Sequence, residues 1–206
     1  MRSSRPETRN DILKRVIPLF AQKGYNGLTM REIASKTHIT FGLIYHHFKS
    51  KQDLYVSAMK LAFSGRLKVF TESIQDECPP EKCLENLVVN FCRELNQDPV
   101  FTRLVQRELL NGDKKRLRMV VETVFADIFE SLCGLCHRLC PTLDPFLLAE
   151  SVVALCAFHY QFAPIRDLLP GSRPERDNDP LIIAHHICHL LENGITRKNP
   201  KGDKLK

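Results

Sequence analysis

The sequence predicts an all-α protein of about nine helices, with three in an N-terminal domain and the others in a larger body. Apolar residues recur at the three- and four-residue spacing of amphipathic helices, and no segment alternates as a half-buried strand would. Several helix starts are marked by an aspartate that directly precedes a proline, at Asp98, Asp144 and Asp179. The chain also lacks internal repeats and low-complexity segments.

Residues 29 onward predict two short helices joined by a tight turn. Thr29 and Glu32 have the spacing of a capping box, in which a hydroxyl and a carboxylate satisfy free N–H groups at a helix start. This helix should end near Lys36, and the next three residues form the turn. Thr40 is then the expected N-cap of the second helix.

The second of these helices has two distinct faces. Ile44 and Phe48 are four residues apart and can hold the helix on its scaffold, while Phe41 and Tyr45 form a similar pair on the exposed side. Gly42 weakens a helix by about 1 kcal/mol relative to alanine, which indicates a site where a base or another backbone comes very close. The arrangement is typical of a helix in the major groove of DNA, although a helical hairpin in an ordinary core has the same outline.

This block resembles the DNA-binding domain of the TetR (tetracycline repressor) family of bacterial regulators. The resemblance extends over residues 8–55 and depends most on residues 39–48, ITFGLIYHHF, followed by Ser50 and Lys51. It places Thr40, Gly42 and Leu43 against base edges and most of the other contacts on phosphates. The full set of DNA contacts that it implies is Thr29, Thr40, Phe41, Gly42, Leu43, Tyr45, His46, His47 and Lys51.

Three residues depart from the family pattern. Leu43 stands where a small or hydroxylated residue is usual, which predicts apolar contact with a thymine methyl group. His38 replaces the usual turn glycine, and histidine tolerates the left-handed region better than most residues. Pro18 lies inside the first helix, where it removes a backbone hydrogen bond and can kink the helix.

Charge agrees with this interpretation. Residues 1–51 carry ten Lys and Arg against three Asp and Glu, whereas residues 52–196 carry 15 against 20. A basic head on an acidic body is the electrostatic pattern of a DNA-binding protein. Arg2, Arg5 and Arg9 could form a flexible arm that reaches DNA, or could simply be solvated.

Beyond residue 50 all signals are helical. Ser50 and Asp53 form a second capping signature, at the start of a long helix that should reach about Gln75. A polar loop is expected at 170–178. The other predicted helices span about 80–97, 99–112, 113–140, 144–163 and 179–194.

The last two helices are apolar nearly all round, at 146–158 and 181–191. One small body cannot cover both, so pairing with the same helices of a second copy would form a four-helix interface around a two-fold axis. TetR relatives dimerise in this way, and a two-fold protein implies a palindromic operator with half-sites roughly 34–36 Å apart or a multiple of that. A large monomeric core is the alternative.

The TetR resemblance also implies a small-molecule effector in a cavity of the body. Effector binding would move the long helix after Ser50, change the spacing of the two heads and release the DNA. The candidate pocket residues are Phe125, Phe129, Cys133, Cys136, Phe158 and His159. No cofactor is expected to be required.

Cysteines suggest an alternative function. Cys133, Cys136 and Cys140 lie on one helix face, where thiolates could bind zinc or copper(I) or react with oxidants. A metal- or thiol-redox-sensing regulator is therefore the second hypothesis, while packing or pocket lining is the simpler interpretation. The Cys-x-x-Cys-His pattern also matches a c-type haem attachment motif, but that chemistry occurs outside the cytoplasm. His185 and His186 are expected at the dimer interface or in the pocket.

Other classes of protein find little support. No apolar run approaches 18 residues, and the N-terminus lacks the apolar core of a signal peptide, so a cytoplasmic bacterial protein with reduced cysteines and no membrane contact is expected. No phosphate-binding loop, nucleophile elbow or His-Glu-x-x-His motif is present, so the protein is not expected to be an enzyme. Glutamates and aspartates such as Glu81, Glu85, Glu108 and Asp113 are interpreted as solvated helix charges.

The sequence thus predicts a ligand-responsive, TetR-like repressor with three parts. Residues 1–50 form the helix-turn-helix DNA-binding domain, and residues 51–196 form the effector-binding and dimerisation domain. Residues 197–206 form a basic tail, with five Lys and Arg against one Asp, that is expected to be disordered.

Overall fold

A computed structural model describes residues 7–74, 78–111 and 113–196, and all regular structure within these ranges is helical. The predicted all-α class is therefore confirmed. The predicted arm at Arg2 and Arg5, the helix end at Gln75 and the tail lie outside the described residues. The helices are α1 (Arg9–Lys23), α2 (Met30–Thr37), α3 (Phe41–His47), α4 (Lys51–Ser73), α5 (Pro80–Gln97), α6 (Pro99–Asn111), α7 (Lys114–Val120), α8 (Ala126–Leu139), α9 (Pro145–Arg166), α10 (Pro174–Asp177) and α11 (Pro180–Thr196).

The described residues contain more helices than the sequence predicts, for local reasons. The predicted helix at 113–140 is divided by a π-helical turn at Val121–Phe125, and the predicted polar loop contains the one-turn helix α10. α11 continues through Gly194 to its end at Thr196, and a Cβ at Gly194 would meet no atom within 4 Å. Glycine there lowers helix propensity without ending the helix.

Contacts divide the chain into two compact units. The first takes in Met1–Lys68 and Asp98–Asp127, and the second takes in Val69–Gln97 and Ile128–Lys206. The first unit is larger than the predicted head of residues 1–50, because it also contains most of α4 together with α6 and α7.

In the first unit, α1 packs against α6 and α2. α1 buries Ile12, Leu13, Val16 and Phe20 at helical spacing, and its capping box joins Thr8 to Asp11. The α1–α2 connection needs a glycine at position 27, because a Cβ there would lie 2.3 Å from the carbonyl oxygen of Lys23.

In the second unit, α5, α9 and α11 pack together, and each buries one stripe of residues. The buried stripe of α9 includes Leu148, Val152 and Cys156, while the other sides of this helix remain exposed. Among the described helices, α9 alone is long and apolar enough to cross a membrane, by length and composition only. Its mean hydropathy over 18 residues is 1.4, although Glu150 and His159 interrupt the apolar run. Core helices of soluble proteins meet the same test.

Candidate nucleic-acid interface

The start of α2 is fixed by the predicted capping box. The Thr29 hydroxyl accepts a hydrogen bond from the Glu32 amide at 3.2 Å, and the Glu32 carboxylate accepts one from the Thr29 amide at 2.7 Å. The amide and hydroxyl of Thr29 hold the pKa of Glu32 below its ordinary value. The Thr29 hydroxyl also donates to Glu32 at 2.9 Å, so both donors of the exposed Thr29 are already engaged.

The turn between α2 and α3 has the predicted left-handed residue. His38 has φ 57° and ψ 32°, and among the described non-glycine residues it alone has positive φ. Its side chain is exposed, while the amide of the next residue, Ile39, donates to the Ala34 carbonyl at 3.1 Å. The turn therefore survives the replacement of glycine by histidine.

α3 is anchored by one face and presents the other to solvent. Thr40 caps it by accepting from the Leu43 amide at 3.3 Å, and Ile44 and Phe48 are both 0% exposed. On the opposite face, the rings of Phe41 and Tyr45 are 45% and 44% exposed, with centroids 4.7 Å apart.

The remaining predicted contacts on α3 lie around this aromatic pair. Thr40, Gly42 and His46 are exposed, whereas Leu43 and His47 are half-buried. A Cβ added to Gly42 would meet no atom within 4 Å. The fold therefore does not need glycine at position 42, which agrees with the expectation that an external group approaches there.

Two basic side chains at this surface are partly held by aromatic rings. The ammonium of Lys51 lies 4.1 Å from the ring centroid of Tyr25, and Lys51 is half-buried. Burial, and then the nearby Arg116, lower the pKa of Lys51, while the charge of Glu32 acts in the opposite direction. Arg9 belongs to α1, donates to the Ser57 hydroxyl at 2.6 Å and covers the Phe48 ring, so the prediction that it lies in a flexible arm is wrong.

One glutamate that the sequence places on the surface is buried. Glu108 is only 5% exposed, and its carboxylate accepts hydrogen bonds from the phenol of Tyr55 and from Arg116, whose Nε is 3.2 Å away. The interpretation of Glu108 as a solvated helix charge is therefore wrong. Asp113 is exposed and caps α7. The only sign of this ion pair in the sequence was an arginine eight residues after Glu108. At that spacing, the two partners lie on adjacent helices.

The candidate pocket residues are distributed over several places. Phe125 packs edge-on against Phe63 in the first unit, with centroids 4.8 Å apart, and Phe129 packs against Phe146 in the second. A groove of about 640 Å³ between α9 and α11 is lined by two of the six predicted residues, Phe158 and His159. Phe125, Phe129, Cys133 and Cys136 do not line it.

His159 joins the groove to the segment after α9. Its Nε2 lies 2.6 Å from Nη1 of Arg166 and 2.9 Å from the carbonyl oxygen of Asp177, and each tautomer satisfies one of these contacts. Burial lowers the pKa of His159, and the charge of Arg166 acts in the same direction. The neutral ring is therefore favoured near pH 7.

The three cysteines of the predicted sensor do not form a metal site. Among the residues described, no group of three or more His, Cys, Asp or Glu side chains is placed to hold a metal ion. Burial raises the pKa of Cys133, and raises that of Cys136 to about 12, while hydrogen bonds from Thr142 lower that of Cys140. Protonated thiols are poor metal ligands and poor nucleophiles, so this geometry does not support the metal- or redox-sensing alternative.

The sequence model for bacterial regulatory proteins of the tetR family matches residues 12–58, which include α2, the His38 turn and α3. The chain carries a TetR-family DNA-binding domain. This domain is 36% identical over 55 residues to IcaR, the HTH-type negative transcriptional regulator of the biofilm operon icaADBC in Staphylococcus aureus (strain Newman). The aligned segment covers 27% of this chain and 30% of IcaR, so less than a third of that relative is matched.

Solved structures resemble this chain over nearly its whole length. FadR from Bacillus subtilis, in complex with stearoyl-CoA, has a TM-score of 0.75 at 17% identity, covering 91% of this chain and 100% of FadR. AibR, in complex with isovaleryl coenzyme A and operator DNA, has a TM-score of 0.68 at 18% identity, covering 88% and 96%. At these identities the comparison establishes the fold: an N-terminal helix-turn-helix domain followed by a helical C-terminal domain.

Proposed function

We propose that the protein is a homodimeric transcriptional repressor that binds a palindromic operator through α2 and α3 and is released by a small-molecule effector. The observation that carries this proposal is the α2–turn–α3 geometry. Both helices are capped by threonine, the left-handed His38 closes the turn, and α3 presents a polar and aromatic face around an unobstructed glycine. A protein with this role acts in the cytoplasm, where the DNA is.

On DNA, α3 would lie in the major groove with its N-terminal residues against the bases. The hydroxyl of Thr40 and the side chain of Leu43 would contact base edges, and Gly42 would let the backbone come close. Tyr45, His47 and Lys51 would hold phosphates. Each good base contact contributes about 1–3 kcal/mol of discrimination, whereas phosphate contacts give affinity that falls as salt rises.

Homodimerisation is supported by the exposed sides of α9 and α11. The exposed apolar side chains on these two helices are Phe146, Leu147, Leu155, Phe158, Ile165, Leu181, Ile182 and Leu190, at 37–60% exposure. Exposed apolar side chains concentrated on two helices are typical of a protein interface or a membrane contact. We favour a second copy, because pairing of these two helices with the same helices of a two-fold related copy would cover their exposed apolar side chains.

Release by an effector is supported by the continuity of α4 and by the structural neighbours. α4 begins at Lys51, beside the candidate DNA contacts, and runs without interruption to Ser73 in the second unit. In this proposal, effector binding acts on this helix. Repression is proposed because IcaR is a negative transcriptional regulator. Coenzyme A thioesters are the first effectors to test, because the FadR and AibR structures contain them.

The proposal is tested by selecting operator sequences from a random duplex library with the purified full-length chain. We expect an enriched palindrome whose half-sites are roughly 34–36 Å apart or a multiple of that. Footprinting should then show protection that disappears in the Tyr45→Ala variant. No enrichment, or an enriched site without two-fold symmetry, would contradict the proposal. A panel of acyl-coenzyme A thioesters is added afterwards to find one that releases the DNA.

A further inference from the structure

A buried ionic network lies in the first unit behind the candidate DNA contacts. The carboxylate of Glu108 accepts from Tyr55 and from Arg116, and the side chains of Arg116 and Glu108 are only 5% and 7% exposed. A buried carboxylate without partners would be strongly destabilising, so Glu108 and Arg116 hold each other in place. Burial, and then the hydrogen bond to Glu108, raise the pKa of Tyr55 far above its ordinary value.

The same arginine reaches an aromatic ring that carries a second cation. The guanidinium of Arg116 lies 4.4 Å from the ring centroid of Tyr25, and the ammonium of Lys51 lies 4.1 Å from that centroid. Each cation is attracted by the ring, but the two cations repel each other. Glu108 offsets this repulsion, because its negative charge neutralises Arg116.

α6 also fixes the backbone just before Tyr25. Arg107, next to Glu108, donates through Nε to the carbonyl of Ala21 at 2.9 Å and through Nη2 to the carbonyl of Gln22. These contacts hold the C-terminal turn of α1. α6 therefore holds the backbone that precedes Tyr25, while Arg116 of α7 lies against the Tyr25 ring.

We propose that Glu108 and Arg116 are positioning residues for the DNA contact of Lys51, with the Tyr25 ring as the connection between them. Arg116, neutralised by Glu108, supports the ring on which the ammonium of Lys51 rests. Loss of the Glu108 charge removes a counter-charge from Arg116 and increases its repulsion of Lys51. The inference depends on the proposed function only in assigning a DNA phosphate to Lys51.

The first test measures the reactivity of Lys51 in the full-length protein without DNA. Brief labelling with acetic anhydride at pH 7–9, followed by peptide mass spectrometry, compares Lys51 with the exposed Lys60. Glu108→Gln should increase the relative reactivity of Lys51 by about twofold or more, because weaker neutralisation of Arg116 favours the neutral amine of Lys51. Arg116→Gln should decrease it by a similar factor. A purely structural role would loosen the site in both variants and would move both reactivities in the same direction, which would overturn the proposal.

The second test measures affinity for a random-sequence 30-base-pair duplex at several salt concentrations. Glu108→Gln should weaken binding in the wild-type background and have no further effect in the Lys51→Ala background. Additive losses would overturn the proposal. If the wild-type protein binds no duplex at all, the proposed function fails, while the labelling experiment still decides whether Lys51 is coupled to Glu108.

Two further variants keep the tests decisive if Glu108→Gln folds poorly. Tyr25→Leu should abolish the difference in Lys51 reactivity between wild type and Arg116→Gln, whereas Tyr25→Phe should retain it, because only the ring is needed. Glu85→Gln, an exposed glutamate of the second unit, is the matched control for the change in net charge. An equal effect of Tyr25→Leu and Tyr25→Phe would exclude the ring as the connection.

Discussion

The α3 face and the α9–α11 face both expose aromatic side chains, but their surroundings differ. On α3, Phe41 and Tyr45 form an isolated pair among a threonine, a glycine and two histidines. On α9 and α11, Phe158 and Leu190 line a groove whose lining side chains are mostly apolar. Bases and phosphates offer hydrogen-bonding edges, whereas a protein partner offers apolar area. The polarity of the neighbours, and not the exposed aromatic area itself, indicates which partner each face suits.

The largest expected effect is on the apolar face. Leu190→Glu would bury an unpaired carboxylate in the proposed interface, which costs about 3 kcal/mol or more and should convert the dimer to a monomer. Size-exclusion chromatography with light scattering measures the mass of the particle in solution. The matched control is Leu168→Glu, because Leu168 is 85% exposed and does not line the groove. A dimer that survives Leu190→Glu would place the interface elsewhere.

The next effect concerns the polar and aromatic face. Tyr45→Phe removes the hydroxyl group but keeps the ring. It should therefore weaken operator binding by about 1.5–3 kcal/mol if the hydroxyl donates to a phosphate. Fluorescence anisotropy with the selected operator gives the Kd, and the oligomeric state should not change. If Tyr45→Ala binds much more weakly than Tyr45→Phe, the ring itself makes the contact. If neither variant weakens binding, Tyr45 lies outside the interface.

Gly42 allows the folding and binding roles of α3 to be separated. Gly42→Ala should raise the free energy of unfolding by up to about 1 kcal/mol, because a Cβ has open space and alanine favours a helix. The same change should weaken operator binding, since the DNA would meet the added methyl group. Gly134→Ala in α8 has equally open surroundings and serves as the control: it should stabilise the protein and leave binding unchanged. Unimpaired DNA binding by Gly42→Ala would show that nothing approaches this position.

The smallest effect is a pH dependence of stability from the groove. The pKa of His159 is lowered in the folded protein, so its contribution is present above the unfolded value of 6.5 and is lost as pH falls below it. Between pH 7.5 and 5.5, the Tm of the wild type should fall by more than that of His159→Gln. Parallel curves for the two proteins would exclude His159 as the source.

Local features of the fold could be predicted from the sequence, and tertiary features could not. The caps at Thr29 and Thr40 and the left-handed turn at His38 depend on residues within four positions, and all three predictions are confirmed. The burial of Glu108 depends on Tyr55, more than fifty positions away in the chain. The π-helical turn at Val121–Phe125 was also not predicted, because the apolar periodicity of the sequence continues on both sides of it.

The candidate site residues show the same difference between local and tertiary features. The residues of α3 follow one another in the chain, so a motif can identify them together. The pocket prediction combined residues from distant helices, and only Phe158 and His159 lie in one groove. Periodicity shows that a helix has an apolar face but does not show which other helix covers that face.

The close approach of Gly27 to the Lys23 carbonyl has a consequence for genetic experiments. Any side chain at position 27 meets backbone 2.3 Å away, so substitutions there should reduce the amount of folded protein in the cell. At Gly42, small substitutions should leave abundance intact and impair control of the target promoter. A mutational scan that scores abundance and promoter activity separately would therefore place the two glycines of one small domain in opposite classes.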